Sequence, residues 1–258
     1  MSETFKSGKP AFDYRLFKYC AINKHLIDSL VNKRLWCAEP HTLNDPLDCQ
    51  VDLRASWERA CSLASGEQKE TLQLILDTPQ EFFKNMEHLK KVGICSFSRG
   101  FDHHPSASVQ WSHYADEHGG VRLLYHFPKS FIEDKQTMIY DVKEVIYEDN
   151  VLTNWLASTK AAGPDFINAL AARYFTAKNP AWKYEDEVRI IRREPGFLDI
   201  PKGFLKEVCF GMLTPKADIE LVARLARTHC GCKKFSKIER DGKSDFGIRA
   251  VKCEILEL

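Results

Sequence analysis

The chain has 258 residues, of which 44% are hydrophobic and 28% charged, enough to bury a core in one large domain without external staples. Lys and Arg number 37 against 36 Asp and Glu, and the net charge of +1 excludes a dominant polybasic or acidic surface, leaving only local patches. No apolar run approaches the roughly 20 residues of a bilayer-spanning helix, and the polar start MSETFKSGKP lacks a hydrophobic signal core, so a cytoplasmic chain with no membrane partner is expected.

The first unit reads strand, helix, strand. RLFKYC (15–20) is a short apolar and aromatic run. Asn23 can cap a helix in which Leu26, Ile27, Leu30 and Val31 form one stripe, and RLWCA (34–38) is extended again. EPHTLNDPLDCQ (39–50) carries turn chemistry. Residues 52–91 are rich in helix formers and are divided by Pro79, a residue suited to a helix start. VGICSFS (92–98) reads as a strand, SASVQWSHYADEH (106–118) as a helix stopped by Gly119-Gly120, VRLLYHF (121–127) as a strand and KEVIYE (143–148) as another. Residues 151–178 are helical, with a break at Gly163-Pro164. EVRIIRR (187–193), KEVCFGM (206–212), KKFSKIE (233–239) and IRAVKCEIL (248–256) are strands, with a helix over Asp218–His229. Strands scattered among helices without a regular βαβ rhythm predict an α+β fold, a mixed and largely antiparallel sheet with flanking helices. A single domain over 1–258 is expected, with a motif-bearing core of about 14–212 and the segment 213–258 packed on it. Neither GxGxxG nor GxxxxGK[ST] is present, so a Rossmann domain or an ordinary nucleotide triphosphatase is not supported.

The stretch AWKYEDEVRIIR (181–192) is the leading candidate for a working centre. If it is extended, Glu185, Glu187 and Arg189 share one face and Tyr184, Val188 and Ile190 the other. Two carboxylates and a guanidinium on one face can hold a sugar hydroxyl or stabilise developing positive charge. The plain alternative is an exposed strand face carrying a Glu–Arg pair. In QWSHYADEHGG, Trp111, Tyr114 and Ala115 lie together on a helix, whereas His113 and His118, five apart, make a poor metal pair. Ser96 and Ser98 at a strand end face either a cleft or a turn. Asn44 and Asp45 sit before Pro46 in a rigid turn, and one of Lys18 and Tyr19 must face away from the core. His103-His104 are neighbours in a loop and a weak metal motif. Arg224, Arg227, Lys233, Lys234 and Lys237 form a candidate basic patch.

The nine cysteines are scattered. Cys20, Cys37, Cys95, Cys209 and Cys253 sit in apolar runs as small core residues, and Cys230 and Cys232 are two ligands short of a zinc site. No metal is expected, and reduced thiols in a cytosol fit better than a disulfide framework.

FKY (17–19), LNDPLD (43–48), CSFS (95–98), WSHYADEHGG (111–120) and WKYEDEVR (182–189) together resemble the signature of a bacterial family catalogued as a domain of unknown function (family 2971), in order and content, from about residue 14 to 212. The layout is also similar to the ADP-ribosyltransferase superfamily. In those enzymes a first strand carries a basic residue or histidine, a middle element supplies Ser or Tyr, and a late strand supplies a catalytic Glu, often in ExE. The resemblance implies that FKY stands for the first element, with Lys18 in place of Arg or His. SFS or WSHYA stands for the second, and YEDEVRII for the third.

On that reading NAD is the substrate. Glu187 is the main catalytic residue and Glu185 orients the acceptor. Lys18, Tyr19, Ser96, Phe97, Ser98, Trp111, His113 and Tyr114 contact NAD. Asn44, Asp45 and Arg189 support the site. The acceptor is a macromolecule, protein or nucleic acid, and the implied role is a toxin or phage-defence effector with a neutralising antitoxin. Cleaving the nicotinamide–ribose bond passes through an oxocarbenium-like state that one carboxylate can face, and an aromatic wall can stack on nicotinamide. Two other readings compete: a metal-dependent nuclease or hydrolase built on Glu185, Glu187 and Asp45, and a non-catalytic nucleotide-binding regulatory domain.

Overall fold

The apolar runs of the sequence become strands wherever β-branched and aromatic residues dominate, and the computed structural model describes residues 13–77, 91–100, 107–159 and 163–253. In chain order the strands are β1 (Tyr14–Cys20), β2 (Arg34–Cys37), β3 (Gly93–Ser98), β4 (Val121–Phe127), β5 (Ile139–Glu144), β6 (Ile146–Tyr147), β7 (Ala177–Lys178), β8 (Glu187–Arg192), β9 (Gly196–Asp199), β10 (Leu205–Phe210), β11 (Lys234–Arg240) and β12 (Ile248–Lys252). Eight of them form one sheet in the order β12-β11-β10-β4-β1-β3-β8-β5. Every neighbouring pair in it is antiparallel except β10 and β11, so the fold is α+β with a largely antiparallel open sheet between helices, as expected. β2 pairs with β9, and β6 with β7, in two small sheets. β11 and β12, from the C-terminal segment, extend the main sheet.

Because strand side chains alternate, the sheet has two faces, and they are covered differently. One face carries a continuous core. Leu16, Phe97, Leu123, Val188, Ile190 and Val208 pack under the helices Lys24–Asn32 and Lys216–Leu225. The other face carries two separate cores. At the β3–β8 end, Ile94 and Ile191 meet the helices Leu53–Leu63, Gly66–Asp77, Val151–Ser158 and Gly163–Thr176. At the β10–β11 end, Cys209 and Ile238 meet Trp111 and Ala115. The residues between these two cores on this face, among them Phe17, Ser98 and Glu187, supply much of the candidate site, and Lys18 and Phe97 join it from the other face.

Local details follow the residues. Asn23 caps its helix, its side chain accepting from the backbone amides of His25 and Leu26. Leu26 and Leu30 are buried there, whereas Ile27 and Val31 are only half-buried, so the stripe is narrower than predicted. The helix expected over 106–118 runs only Ala107–Tyr114. Asp116, Glu117 and His118 all have positive φ and unwind it. The unwinding brings Gly120 against β1 so closely that a Cβ would collide with the Cys20 carbonyl oxygen. The strand expected over 143–148 is broken at Val145, whose amide donates to the Glu187 carbonyl oxygen at 3.0 Å. The helical stretch at 151–178 divides near the expected break and ends in β7. Pro79, His103 and His104 lie outside the described residues, as does the end of the last expected strand.

Candidate active site

Strand β1 has two unequal neighbours. With β4 it pairs along its whole length, from Tyr14 opposite Phe127 to Cys20 opposite Val121. With β3 it pairs at Phe17 and Ser98 alone. The sheet therefore splays between β1 and β3. The Lys18 ammonium spans the opening, donating to the Ser96 carbonyl oxygen at 2.9 Å and lying 5.3 Å from the centre of the Phe97 ring. The cleft at this splay has a cavity volume of about 130 Å³. Phe17, Lys18 and Tyr19 form one wall and Ser96, Phe97 and Ser98 the other, with Asp48, Lys178, Glu185 and Glu187 at one end.

That end is a buried ionic cluster. Lys178 Nζ lies 2.5 Å from Glu185 Oε2, 2.9 Å from Glu187 Oε2 and 3.2 Å from Asp48 Oδ2. Arg189 donates from Nε to Glu187 Oε1 at 2.7 Å and from Nη2 to Glu187 Oε2 at 3.0 Å. Its Nη2 also donates to Asp48 Oδ2 at 2.6 Å, and its Nη1 to the Phe175 carbonyl oxygen at 2.7 Å. Two cations are thus in direct contact with three carboxylates. Removing either cation would leave three buried carboxylates against a single cation, which is strongly unfavourable. The alternative of an exposed charged strand face is overturned: Glu187 is 5% exposed and Arg189 0%.

The expected geometry of the ExE stretch also changes. Glu185 is not on β8. It ends a 3₁₀ helix, Pro180–Glu185, and Asp186 turns the chain in the left-handed region at φ 45° before β8 begins at Glu187. The two carboxylates meet through this turn rather than through strand alternation, and Tyr184 does not share an apolar strand face with Val188 and Ile190. Gln110 fixes the turn. Its buried amide nitrogen donates to the carbonyl oxygens of Tyr184 at 3.0 Å and Glu185 at 2.9 Å, and to Ser98 Oγ at 3.2 Å. Tyr147 Oη accepts from the Glu187 amide at 2.9 Å.

The two glutamates have opposite electrostatics. Burial opposes ionisation of Glu187, but Arg189 and Lys178 more than reverse it and hold its carboxyl well below the usual range. Burial of Glu185 prevails over Lys178 and Tyr114, so its pKa is raised. Tyr114 Oη donates to Glu185 Oε1, and Asn44 Nδ2 donates to Tyr114 Oη at 3.4 Å. Burial and this bond to Glu185 raise the Tyr114 phenol, which stays protonated.

Of the residues singled out in the sequence, Lys18, Tyr19, Asn44, Ser96, Phe97, Ser98, Tyr114, Glu185 and Glu187 line one cleft. Four do not. Trp111 is fully buried in the β10–β11 core, edge-on to Tyr19 with ring centres 5.3 Å apart, so it supports the wall from behind. His113 faces outward and shares a hydrogen bond of 2.9 Å with Tyr184 Oη. Asp45 caps the Leu47 amide at 2.9 Å and lines a different cavity, so the carboxylate beside Glu185 and Glu187 is Asp48. Arg189 lies behind the cleft as the structural partner of Glu187. Sequence reasoning missed Asp48, Gln110, Lys178 and Tyr147. Asp48 and Gln110 stood inside motifs already quoted, whereas Lys178 had no spacing signal.

Comparison with known proteins adds a family. Residues 110–190 match the model of the family described as Protein of unknown function (DUF2971). Over that span the match bears out the resemblance drawn from the motifs, and it encloses Gln110, Tyr114, Lys178, Glu185, Glu187 and Arg189. No curated protein and no solved structure matches the chain.

Proposed function

We propose that this chain is a cytoplasmic ADP-ribosyltransferase, which cleaves NAD and transfers ADP-ribose to a macromolecular acceptor. The observation that carries the reading is the convergence of Lys18, Ser96, Ser98 and Glu187 on the cleft between β1 and β3, with Glu185 beside them. A permanently ionised carboxylate next to one with a raised pKa is the pairing expected where one group stabilises charge and the other moves a proton.

Glu187, kept ionised by Arg189 and Lys178, faces the ribose as positive charge develops at C1′. The bond from C1′ to the nicotinamide nitrogen breaks, and its electron pair leaves with neutral nicotinamide. An acceptor nucleophile then bonds to C1′, and its proton passes to Glu185, whose pKa is raised by burial. Phe17, Tyr19 and Tyr114 offer aromatic surface to the nicotinamide ring. All nine cysteines are free thiols, which supports a reducing compartment, and no helix among the described residues is long and apolar enough to cross a membrane. A toxin or phage-defence effector restrained by a neutralising partner is the setting we propose for this chemistry.

The test uses NAD labelled in the adenylate half, with free nicotinamide measured in parallel. Glu187→Gln abolishes both signals while the protein still melts cooperatively. Glu185→Gln loses transfer but keeps nicotinamide release. Unchanged transfer in Glu187→Gln would sink the assignment, and NAD binding without nicotinamide release in the wild type would favour the non-catalytic reading.

A further inference from the structure

The cleft does not end at Lys18. A groove with a cavity volume of about 990 Å³ continues from it, and Lys18, Tyr19, Leu43, Asn44, Ser96 and Tyr114 line both. That volume lies at the upper end of the range of small-molecule pockets, about 1,000 Å³.

Its far end is built by the small sheet of β2 and β9. Leu35, Cys37 and Leu198 turn one face of that sheet into the main core. Alternation then points Trp36 and Phe197, paired directly across the strands, the other way. They are 54% and 44% exposed, with ring centres 4.9 Å apart. The Arg34 guanidinium lies 3.6 Å over the Phe197 ring and is fixed there by two bonds to Asp28, from Nε at 2.9 Å and Nη2 at 2.8 Å. Nothing in the core requires two large aromatic side chains to stay in solvent at this position.

The charge of the groove is opposite to that of the ionic end of the cleft. Lys18, Lys24 and Arg34 line the groove against one acid, Asp28, whereas Asp48, Glu185 and Glu187 face the cleft against Lys18 and Lys178. A basic furrow ending in exposed aromatic rings matches a strand of unpaired bases. Rings stack on bases regardless of sequence, and basic side chains follow the phosphates. An acidic peptide would satisfy the charge but not the rings.

We infer that the groove binds single-stranded nucleic acid, and that this is the macromolecular acceptor delivered to Glu185. The inference rests on the transferase reading for its purpose, but the binding surface is testable apart from it. The probes are fluorescent oligodeoxynucleotides and oligoribonucleotides, single-stranded and duplex, with an acidic peptide as competitor, titrated into the full-length protein by anisotropy. Single strands should bind more tightly than duplexes and more weakly as salt rises. Trp36→Ala should weaken binding by about 10-fold or more. Lys24→Gln should flatten the dependence on log salt by about 0.7, one phosphate contact on a single strand.

Both substitutions are on exposed side chains, and neither should slow nicotinamide release from NAD. Binding that is absent, equal in Trp36→Ala and wild type, or fully displaced by the acidic peptide overturns the inference. Oligonucleotide binding together with inert NAD would instead defeat the transferase reading and leave the groove assignment standing.

Discussion

The two sides of strand β1 differ more than any other neighbouring parts of the sheet. Toward β4 every residue of β1 has a partner, and the faces on that side are filled mainly by apolar side chains, with Arg122 buried over the Phe17 ring. Toward β3 a single residue pair closes the sheet, and the space left is lined by charge. The first side holds the fold together by burial. The second leaves backbone and side chains unpaired by the ladder, so that Lys18, Ser96 and the Glu185–Glu187 turn can meet a ligand. Substitutions on either side should therefore have effects of different kinds.

Two substitutions, one on each side, should have the largest effects on stability. Arg189→Met leaves Glu187 and Asp48 buried with one cation fewer and should cost about 3–5 kcal/mol in denaturant unfolding. On the closed side, Phe127→Ala removes a fully buried ring at the β1–β4 end and should cost a comparable 3–5 kcal/mol or so. The comparison is sharpened by activity at a temperature where both variants are folded: Phe127→Ala keeps nicotinamide release and Arg189→Met loses it. Equal activity losses would remove the distinction between the two sides. Tyr114→Phe deletes one hydrogen bond to the carboxylate of Glu185, worth about 1.5–3 kcal/mol, and should shift the pH profile of transfer to higher pH by taking away a donor that favours the ionised form. The smallest change is expected for Arg99→Ala. Arg99 is exposed and pairs with Asp186 at 2.6 Å and with Glu144, so melting should register under about 1 kcal/mol.

The ionic cluster also sets a pH dependence. The folded-state pKa of Glu187 is depressed, so its contribution to stability is complete above the unfolded glutamate value of about 4.3 and is lost as pH falls through the folded value. The stability gap between wild type and Glu187→Gln should stay constant from neutral pH to about 5 and narrow only below about 4.3. A gap that narrows near pH 6 would mean that Glu187 is not held by Arg189 and Lys178.

The closed side was legible in the sequence because it is periodic. VRLLYHF and RLFKYC have the composition of buried strands, and they pair as such. The open side was legible only in part. Glu187 and Arg189 share a strand face as alternation predicts, but Glu185 reaches the same place through a left-handed residue that no periodicity announces. Lys178 is buried because three carboxylates surround it. That burial depends on the chain returning through two helices and cannot be seen at residue 178 itself. Trp111 was misassigned for the converse reason: a large aromatic next to site residues reads the same whether it lines a cleft or supports one from behind.

The central claim is that the splay between β1 and β3 is a site for NAD chemistry governed by Glu187. Its most direct test is nicotinamide released from NAD by the purified protein, compared between wild type and Glu187→Gln under conditions where both are shown to be folded. The account predicts release by the wild type and a loss of at least about 100-fold in the variant. Equal rates in the two proteins would contradict it.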